Sequence, residues 1–597
     1  MEAKGRFLCF HILCCHCFDV VLSRVFSIFR DMNNFPMDEK NKQIKTAWEE
    51  LFMFGYIYRK IRYLSLKKKN EYMLENDQQD REYSEPISSD LGKNLEVIKG
   101  IFRESSDLAV HEFNFGHERR FKGALIFIDN LVNKEEIHKN ILQPLMYDSL
   151  LLKNDMDFTK IDTIRKSLIS MTDISKETLL SDLLDKLLAG AAILMVDGSK
   201  ETLAIKSGKR DSRSIEEPGT EVVVRGPREG FIENVNVNIA LIRRKIKDTE
   251  LCVEKLVIGD KSKTDVYIVY IKSVANPKLI EEIRTRLKRI KVEAILESGF
   301  IEQYIEDNPY SIFPTVSNSE KPDKVAAKIL EGRVAIFVDG TPFVLVVPMV
   351  FIESFQSVED YYARPFFASI IRLIRFLSFI ISTLGPAIYV ALTVFHQELI
   401  PTQLLISIAE GRDRVPFPAI LEAFLMLFAF DLLREAGVRL PKPVGQTVGI
   451  VGAIVLGQAS VEAGLISPIM VIVVSATAIA SFAVPAQTDS GTVLRYIYLA
   501  LAGAAGGFGV MMGLLATLMH LASLRSFGTP YLWPVAPLDL SGLKDVFIRM
   551  PLWTMSERPK AIIWSNRNSY NQSQDLMPSP YRNDNNDSNQ REQGRND

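Results

Sequence analysis

The stretch Arg434–Pro485 decides what this chain can become. It holds two apolar runs behind a basic, proline-punctuated turn. Each run is long enough to cross a bilayer, since roughly 20 residues at helical rise cover the hydrocarbon core. The first is rich in Gly and Ala and carries Thr447, Gln458 and Glu462; the second, Ser467 to Val484, carries no charge. A chain with such runs is predicted to be an integral membrane protein.

The overall 47% hydrophobic content hides two unlike halves. Up to about residue 360 the chain is charged and reads as soluble, and beyond it turns membrane-like. The expected fold is multi-domain. A cytoplasmic α+β N-terminal region of two subdomains, 92–210 and 211–350, follows an extension and linker, 1–91. An all-α polytopic membrane domain of about four to six helices, 351–523, comes next. A membrane-proximal segment, 524–563, precedes a polar tail, 564–597, whose Asn, Ser, Gln and Asp cannot build a core. A net charge of −2 argues against a nucleic-acid partner.

The five cysteines set up no disulfide framework. Cys9, Cys14, Cys15 and Cys17 lie beside His11 and His16, but the spacing fits no standard zinc finger. The same segment is a poor signal peptide, because two His interrupt its apolar stretch. Met32 and Met37 are alternative starts. No metal, cofactor or catalytic site is expected.

In the α+β region three short strands end in an Asp turn: Asp129-Asn130, Asp197-Gly198 and Asp339-Gly340. Such dipeptides suit two-residue hairpins, and a turn role outweighs a catalytic one. Residues 278–291 form an amphipathic helix with Leu279, Ile283, Leu287 and Ile290 on one face. Motifs for phosphate cradles, dinucleotide binding, zinc proteolysis and a nucleophile elbow are all missing, so the chain is not read as an enzyme. The basic turn Arg225–Gly230 with Arg243, Arg244 and Lys245 has two open readings, a phosphate site or an inter-subunit ion-pair network.

Phe343–Phe355 is apolar but too short to span, and is read as an interfacial approach segment. Arg372 and Arg375 precede the first span, Leu377–Phe395, and are expected to snorkel to the headgroups. The second span, Phe417–Leu433, holds Glu422 and Asp431, each costing roughly 2.5–3.5 kcal/mol at mid-bilayer. Nine residues apart at 100° each, they point to opposite faces. Asp431 is expected to pair with Arg434 or Arg439. In the third span, 445–465, a candidate pore stripe of Thr447, Val451, Ile454, Gln458 and Glu462 lies within about 80°. Gly445, Gly449, Gly452, Ser460 and Ala463 form the opposite, packing face. Val451 and Ile454 would then be an apolar gate. Bonding of the polar residues to neighbouring helices is an equal alternative on physics alone. Ser467–Val484 is the fourth span, and Tyr496–Ala522, interrupted by five glycines, is a fifth run that is broken or re-entrant. Basic residues before, between and after the spans put both ends inside, which favours an even number of crossings.

Several long stretches carry a resemblance to the A subunit of spore germinant receptors, the GerA family. They include Glu302–Pro314, Leu330–Pro348, Glu353–Pro365, Thr393–Thr402, Leu433–Gln458 and Leu521–Pro530. Asn130, Val237 and Asp431 are mild departures. The resemblance implies a subunit in the inner membrane of a dormant spore, with its large N-terminal domain cytoplasmic. It implies a transporter-like B subunit and a lipoprotein C subunit as partners. It also implies assembly into an oligomeric, germinant-gated cation channel, which tilts the stripe in 445–465 toward the pore. A secondary transporter subunit and a non-conducting signalling scaffold are the alternatives.

Overall fold

Two five-stranded antiparallel sheets with the same strand plan dominate the first half of the chain. The computed structural model describes residues 86–562, apart from 152–160, 172, 208–216, 441–451, 453–454, 540, 556–557 and 560–561; all of them belong to one compact unit, Tyr83–Asp597. Helix α1 (Leu91–Ile101) precedes β1 (Leu108–Phe115) and β2 (Phe121–Ile128). After a helical excursion come β3 (Ile174–Glu177), α2 (Leu180–Leu188), β4 (Ala191–Val196) and β5 (Thr202–Lys206). The series then repeats. Helix α3 (Val235–Lys245) leads to β6 (Leu251–Ile258) and β7 (Thr264–Ile271). Helices α4 (Pro277–Arg289) and α5 (Ser298–Ile305) form the excursion. β8 (Ser317–Ser319), α6 (Pro322–Leu330), β9 (Val334–Val338) and β10 (Val344–Val347) complete it. Strand orders are β1-β2-β4-β5-β3 and β6-β7-β9-β10-β8.

The repeat reaches individual residues. Leu187–Gly198 (LLAGAAILMVDG) and Ile329–Gly340 (ILEGRVAIFVDG) occupy matching places. Their glycines hold matching positive φ values: 87° and 86° at Gly190 and Gly198, 97° and 89° at Gly332 and Gly340. The central strands β4 and β9 are buried along their whole length, which is why they read as unbroken apolar runs.

The Asp-Gly pairs do not make two-residue hairpins. Residues 197–201 join β4 to β5, and residues 339–343 join β9 to β10. The aspartates instead anchor the helix that opens each half: Asp197 Oδ1 accepts from Leu91 N and Asp339 Oδ1 from Val235 N, both at 3.2 Å. A carboxylate at a helix N-terminus satisfies orphan amides and complements the dipole. Asn94 and Asn238 repeat a second device, each bridging the backbone N–H and C=O of one residue ahead of its helix. Asp129 opens no hairpin and pairs with Lys134.

One buried ion pair ties the two halves together. Arg243 of α3 forks onto Asp107, Nε to Oδ2 at 2.9 Å and Nη2 to Oδ1 at 3.0 Å, with both side chains essentially out of solvent. Beside it, Ser106 donates its N–H and hydroxyl to Val253 O.

The second half is helical: α7 (Pro365–Val394), α8 (Thr402–Arg412), α9 (Ala419–Arg439), α10 (Pro468–Ser481) and α11 (Thr488–Ser523). Among the described residues two stretches are long and apolar enough to cross a membrane, Pro365–Val394 and Pro485–Ser523. α10 is apolar but has 14 residues. Phe343–Phe355 is no single approach segment. Its start belongs to β10, while Phe351 and Phe355 pack edge-on with Phe313, Phe376 and Phe379 at the foot of the helices.

Two outcomes follow from these contacts. Asp107→Ala strands a buried guanidinium and is expected to cost about 3–5 kcal/mol, most of it recovered when Asp107→Leu is combined with Arg243→Met. The thermal midpoint of the full-length chain in detergent measures both. Separately, burial, then Glu306 and Glu297, push the Glu302 carboxyl of α5 up to about 7. The folded chain keeps that proton to higher pH than the unfolded chain, so stability falls as pH rises from the ordinary carboxylate range through about 7. Glu302→Gln should therefore raise the midpoint near pH 8 and leave it nearly unchanged near pH 4.

Candidate functional site

Three features stand out: a cleft in the α/β head, the junction between head and helices, and the interior of the helical half. The cleft encloses about 460 Å³ where the two sheet halves meet. Asp129, Asn133 and Lys134 line it from one half, and Asn234, Asn236 and Arg244 from the other. Amide and charged side chains from both halves alternate with Val132, Val237 and Ala240 along its walls.

The basic residues read from sequence as one cluster are dispersed. Arg243 is consumed by Asp107, Lys245 pairs with Glu229 and Arg228 with Glu217, all within this chain. The turn at 224–226 serves a carboxylate instead. Val224 N and Arg225 N donate to Glu359 Oε1 at 2.6 and 2.9 Å. Gly226, at φ 139°, lies against Tyr362 so closely that a Cβ would come within 2.7 Å of the ring. Tyr362 in turn donates to Asp323 of α6. This grip holds the short helix Glu359–Tyr362, directly before α7.

The next residue, Asp360, is buried and organises the junction. It accepts Arg372 Nε at 3.0 Å and Arg375 Nη1 at 2.8 Å. Arg372 also donates to Asp545 Oδ1 at 2.7 Å, and Tyr361 donates to Asp545 Oδ2 at 2.6 Å. Arg372, 1% exposed, therefore does not snorkel; a carboxylate on each side holds its fork inside the protein. A second buried group lies alongside. Glu353 pairs with Arg333 and with Lys328, and burial pulls the Lys328 amine down to about 8.

In the helical half Glu422 and Asp431 go to different places. Glu422 is fully buried and accepts the backbone N–H of Ser467, the N-cap of α10, at 2.5 Å. Asp431 takes neither expected partner as its main one. Arg495 binds it at 2.7 and 2.9 Å and Tyr496 Oη at 2.6 Å, while Arg434 stays at 3.9 Å and Arg439 turns to Glu435. Arg495 borders a different apolar run, so spacing within the helix of Asp431 could not supply it.

Of the predicted stripe, Thr447, Val451 and Ile454 lie outside the described residues, as do Gly445 and Gly449 on the packing face. Gln458 and Glu462 are exposed and bonded to each other at 2.9 Å. Gly452 packs on α9, where a Cβ would come 2.7 Å from Leu433. Ser460 is half-buried and Ala463 exposed.

The glycine-rich run reverses direction. At Ala505 (φ −137°, ψ 16°) and Gly506 (φ 58°, ψ −139°) α11 breaks into two limbs. Tyr498 Oη meets Thr517 Oγ1 at 2.8 Å across them. Near its start Ser490 donates to Ile312 O, and near its end His520 meets Ser311, so both ends of α11 reach neighbouring residues. The tip is seated on the end of α7, with His396 Nε2 accepting Gly507 N.

An α/β head with a cleft, fixed by buried ion pairs to an apolar helical half, defines a two-part protein with apolar stretches of membrane length in one chain. The chain belongs to the GerA family of spore germination proteins: the model for the Bacillus/Clostridium GerA spore germination protein matches residues 96–561. Spore germination protein KA of Bacillus subtilis is 44% identical over 505 residues, covering 84% of this chain and 92% of its own. The uncharacterized membrane protein YfkQ of the same organism is 44% identical over 487 residues, 81% of this chain and 92% of its own. The crystal structure of the N-terminal domain of the A subunit of the Bacillus megaterium spore germinant receptor GerK3 shares 37% identity, with a TM-score of 0.37, covering 45% of this chain and 98% of that domain.

Gly506→Ala tests the reversal. Its φ and ψ are accessible to glycine, and the new Cβ would come 2.6 Å from the Phe395 ring. The backbone alone costs about 1–3 kcal/mol. A lower thermal midpoint in detergent is expected, partly restored by Phe395→Ala.

Proposed function

We propose that this chain is the membrane subunit of a nutrient germinant receptor complex that triggers spore germination, and that copies of it form a germinant-gated cation channel. It would act with a transporter-like B subunit and a lipoprotein C subunit in the inner membrane of the spore, its head in the cytoplasm. One observation carries the channel reading. Glu462 and Gln458 are exposed from the chain and, among the described residues, bond to each other, in a segment bordered by apolar helices. A carboxylate at that depth needs water or a partner, and a water-filled axis between copies supplies it. Thr447, Val451 and Ile454 extend the stripe by helical spacing, with Val451 and Ile454 as its apolar gate.

The reversal at Gly506 supports an even number of crossings. With α7, α9, 445–465, α10 and two limbs of α11 each crossing once, both ends of the helical half return to the head. The charge distribution favours that side as cytoplasmic. A secondary transporter subunit is the second reading, favoured by the broken helix at Ala505–Gly506, since transporters build substrate sites from such breaks.

Conductance of the purified complex in liposomes, with and without nutrients, separates these readings. Nutrient-dependent current is expected. Flux that always follows an ion gradient supports the transporter, and a complex that never conducts leaves the signalling scaffold. Val451→Ala and Ile454→Ala should leak without nutrient. Glu359→Gln weakens the grip of the 224–226 turn, so it should raise the nutrient concentration for half-maximal current while sparing the maximal current.

A further inference from the structure

We propose that the outward face of α5, with the basic turn before it, rests on the lipid headgroups of the same membrane that the helical half enters. The inference rests on the membrane reading above.

Among the described residues of the head, α5 and its flanks carry the cluster of exposed large side chains that includes aromatic rings on one helix face. Leu296, Phe300 and Tyr304 are 69%, 45% and 55% exposed, and Tyr310, just beyond the helix, is 96% exposed. Phe300 and Tyr304 are four residues apart and share a helix face. The adjacent face, Ile301 and Ile305, is buried in the sheet core, so the exposed side chains are not a local packing defect.

The position of this face identifies what covers it. Phe527 lies four residues past the end of α11, where the chain leaves the apolar half. Its ring sits 4.4 Å beneath the Arg286 guanidinium of α4, and its N–H is held by Asp307. Arg286 also donates to Ile305 O, the last residue of α5, and pairs with Asp307. The loop that follows puts Phe313 into the apolar core of the helices. The C-terminal end of α5 is therefore fastened to the point where the chain exits the membrane. Aromatic side chains with one polar tip prefer that depth. Arg289, the last residue of α4, and Lys291 just beyond it are exposed, while the neighbouring Glu293 is paired with Lys261, and cations there are drawn to anionic lipid. Aromatic, apolar and basic groups on one short helix and its lead-in make an interfacial anchor.

The test uses the full-length chain with its native cysteines replaced, reconstituted in vesicles of phosphatidylcholine and phosphatidylglycerol. Single cysteines are introduced by Phe300→Cys, Tyr304→Cys, Val97→Cys and Ile479→Cys, and each is labelled with an environment-sensitive fluorophore. Positions 300 and 304 are expected to shift to the blue and lose emission to a nitroxide on the lipid headgroup. Position 97, exposed on α1, keeps its emission, and position 479 loses it to a nitroxide in the acyl chains. Arg289→Glu with Lys291→Glu is expected to reduce the loss at 300 and 304. Quenching at 479 without quenching at 300 and 304 overturns the proposal and spares the membrane reading. No quenching at 479 defeats both. Disulfide crosslinking of position 300 to a second copy, with its emission unquenched, assigns the face to contact between copies and also overturns the proposal.

Discussion

The structure depends on the cluster of Asp360, Arg372, Arg375 and Asp545. It lies where the head gives way to the helices, and its two central members, Asp360 and Arg372, are withdrawn from water. Removing charges from solvent is costly unless each donor meets an acceptor in good geometry. Here a planar guanidinium meets carboxylates from two directions, an arrangement lysine could not copy. The cost of rearranging such a group is high, so it fixes the start of α7 against the segment before it and the chain around Asp545. Glu353, Arg333 and Lys328 stiffen the same seam from the sheet side.

The head gains its shape by using one plan twice. Each half needs a helix fixed at one end of its sheet, and an aspartate at the end of a buried strand does this in both. The cleft lies where two such units are joined by the buried Arg243–Asp107 pair, by Glu104 with Lys272 and Tyr270, and by a short backbone contact. Its walls are the exposed starts of helices, rich in amides and short polar side chains.

Much of this was legible from sequence. Unbroken apolar strands ending in Asp-Gly marked the centres of both sheets, and the 278–291 periodicity marked α4. The membrane-length runs announced the helical half, and the glycines in 503–513 announced a break. The rest was hidden because it is non-local. Nothing near Asp431 points to Arg495, 64 positions on, or near Arg372 to Asp545, 173 positions on. Local spacing suggested Arg434 and Arg439 as partners, and snorkelling for Arg372, because a helix wheel sees one helix at a time. The Asp-Gly turns were misjudged in length for a similar reason: their carboxylates answer helices about a hundred residues earlier, at Leu91 and Val235.

The reach of Arg372 to Asp545 also sets an order of assembly. A chain is made from its N-terminus, and domains tend to fold as they emerge. When the first apolar helix is complete, Arg372 has Asp360 beside it and no second carboxylate. That carboxylate arrives after every other helix of the apolar half has been made, including the doubled-back α11. The Arg372–Asp545 part of the seam between head and helices therefore closes late, after the intervening helices have been made, whereas Glu353, Arg333 and Lys328 can meet before them.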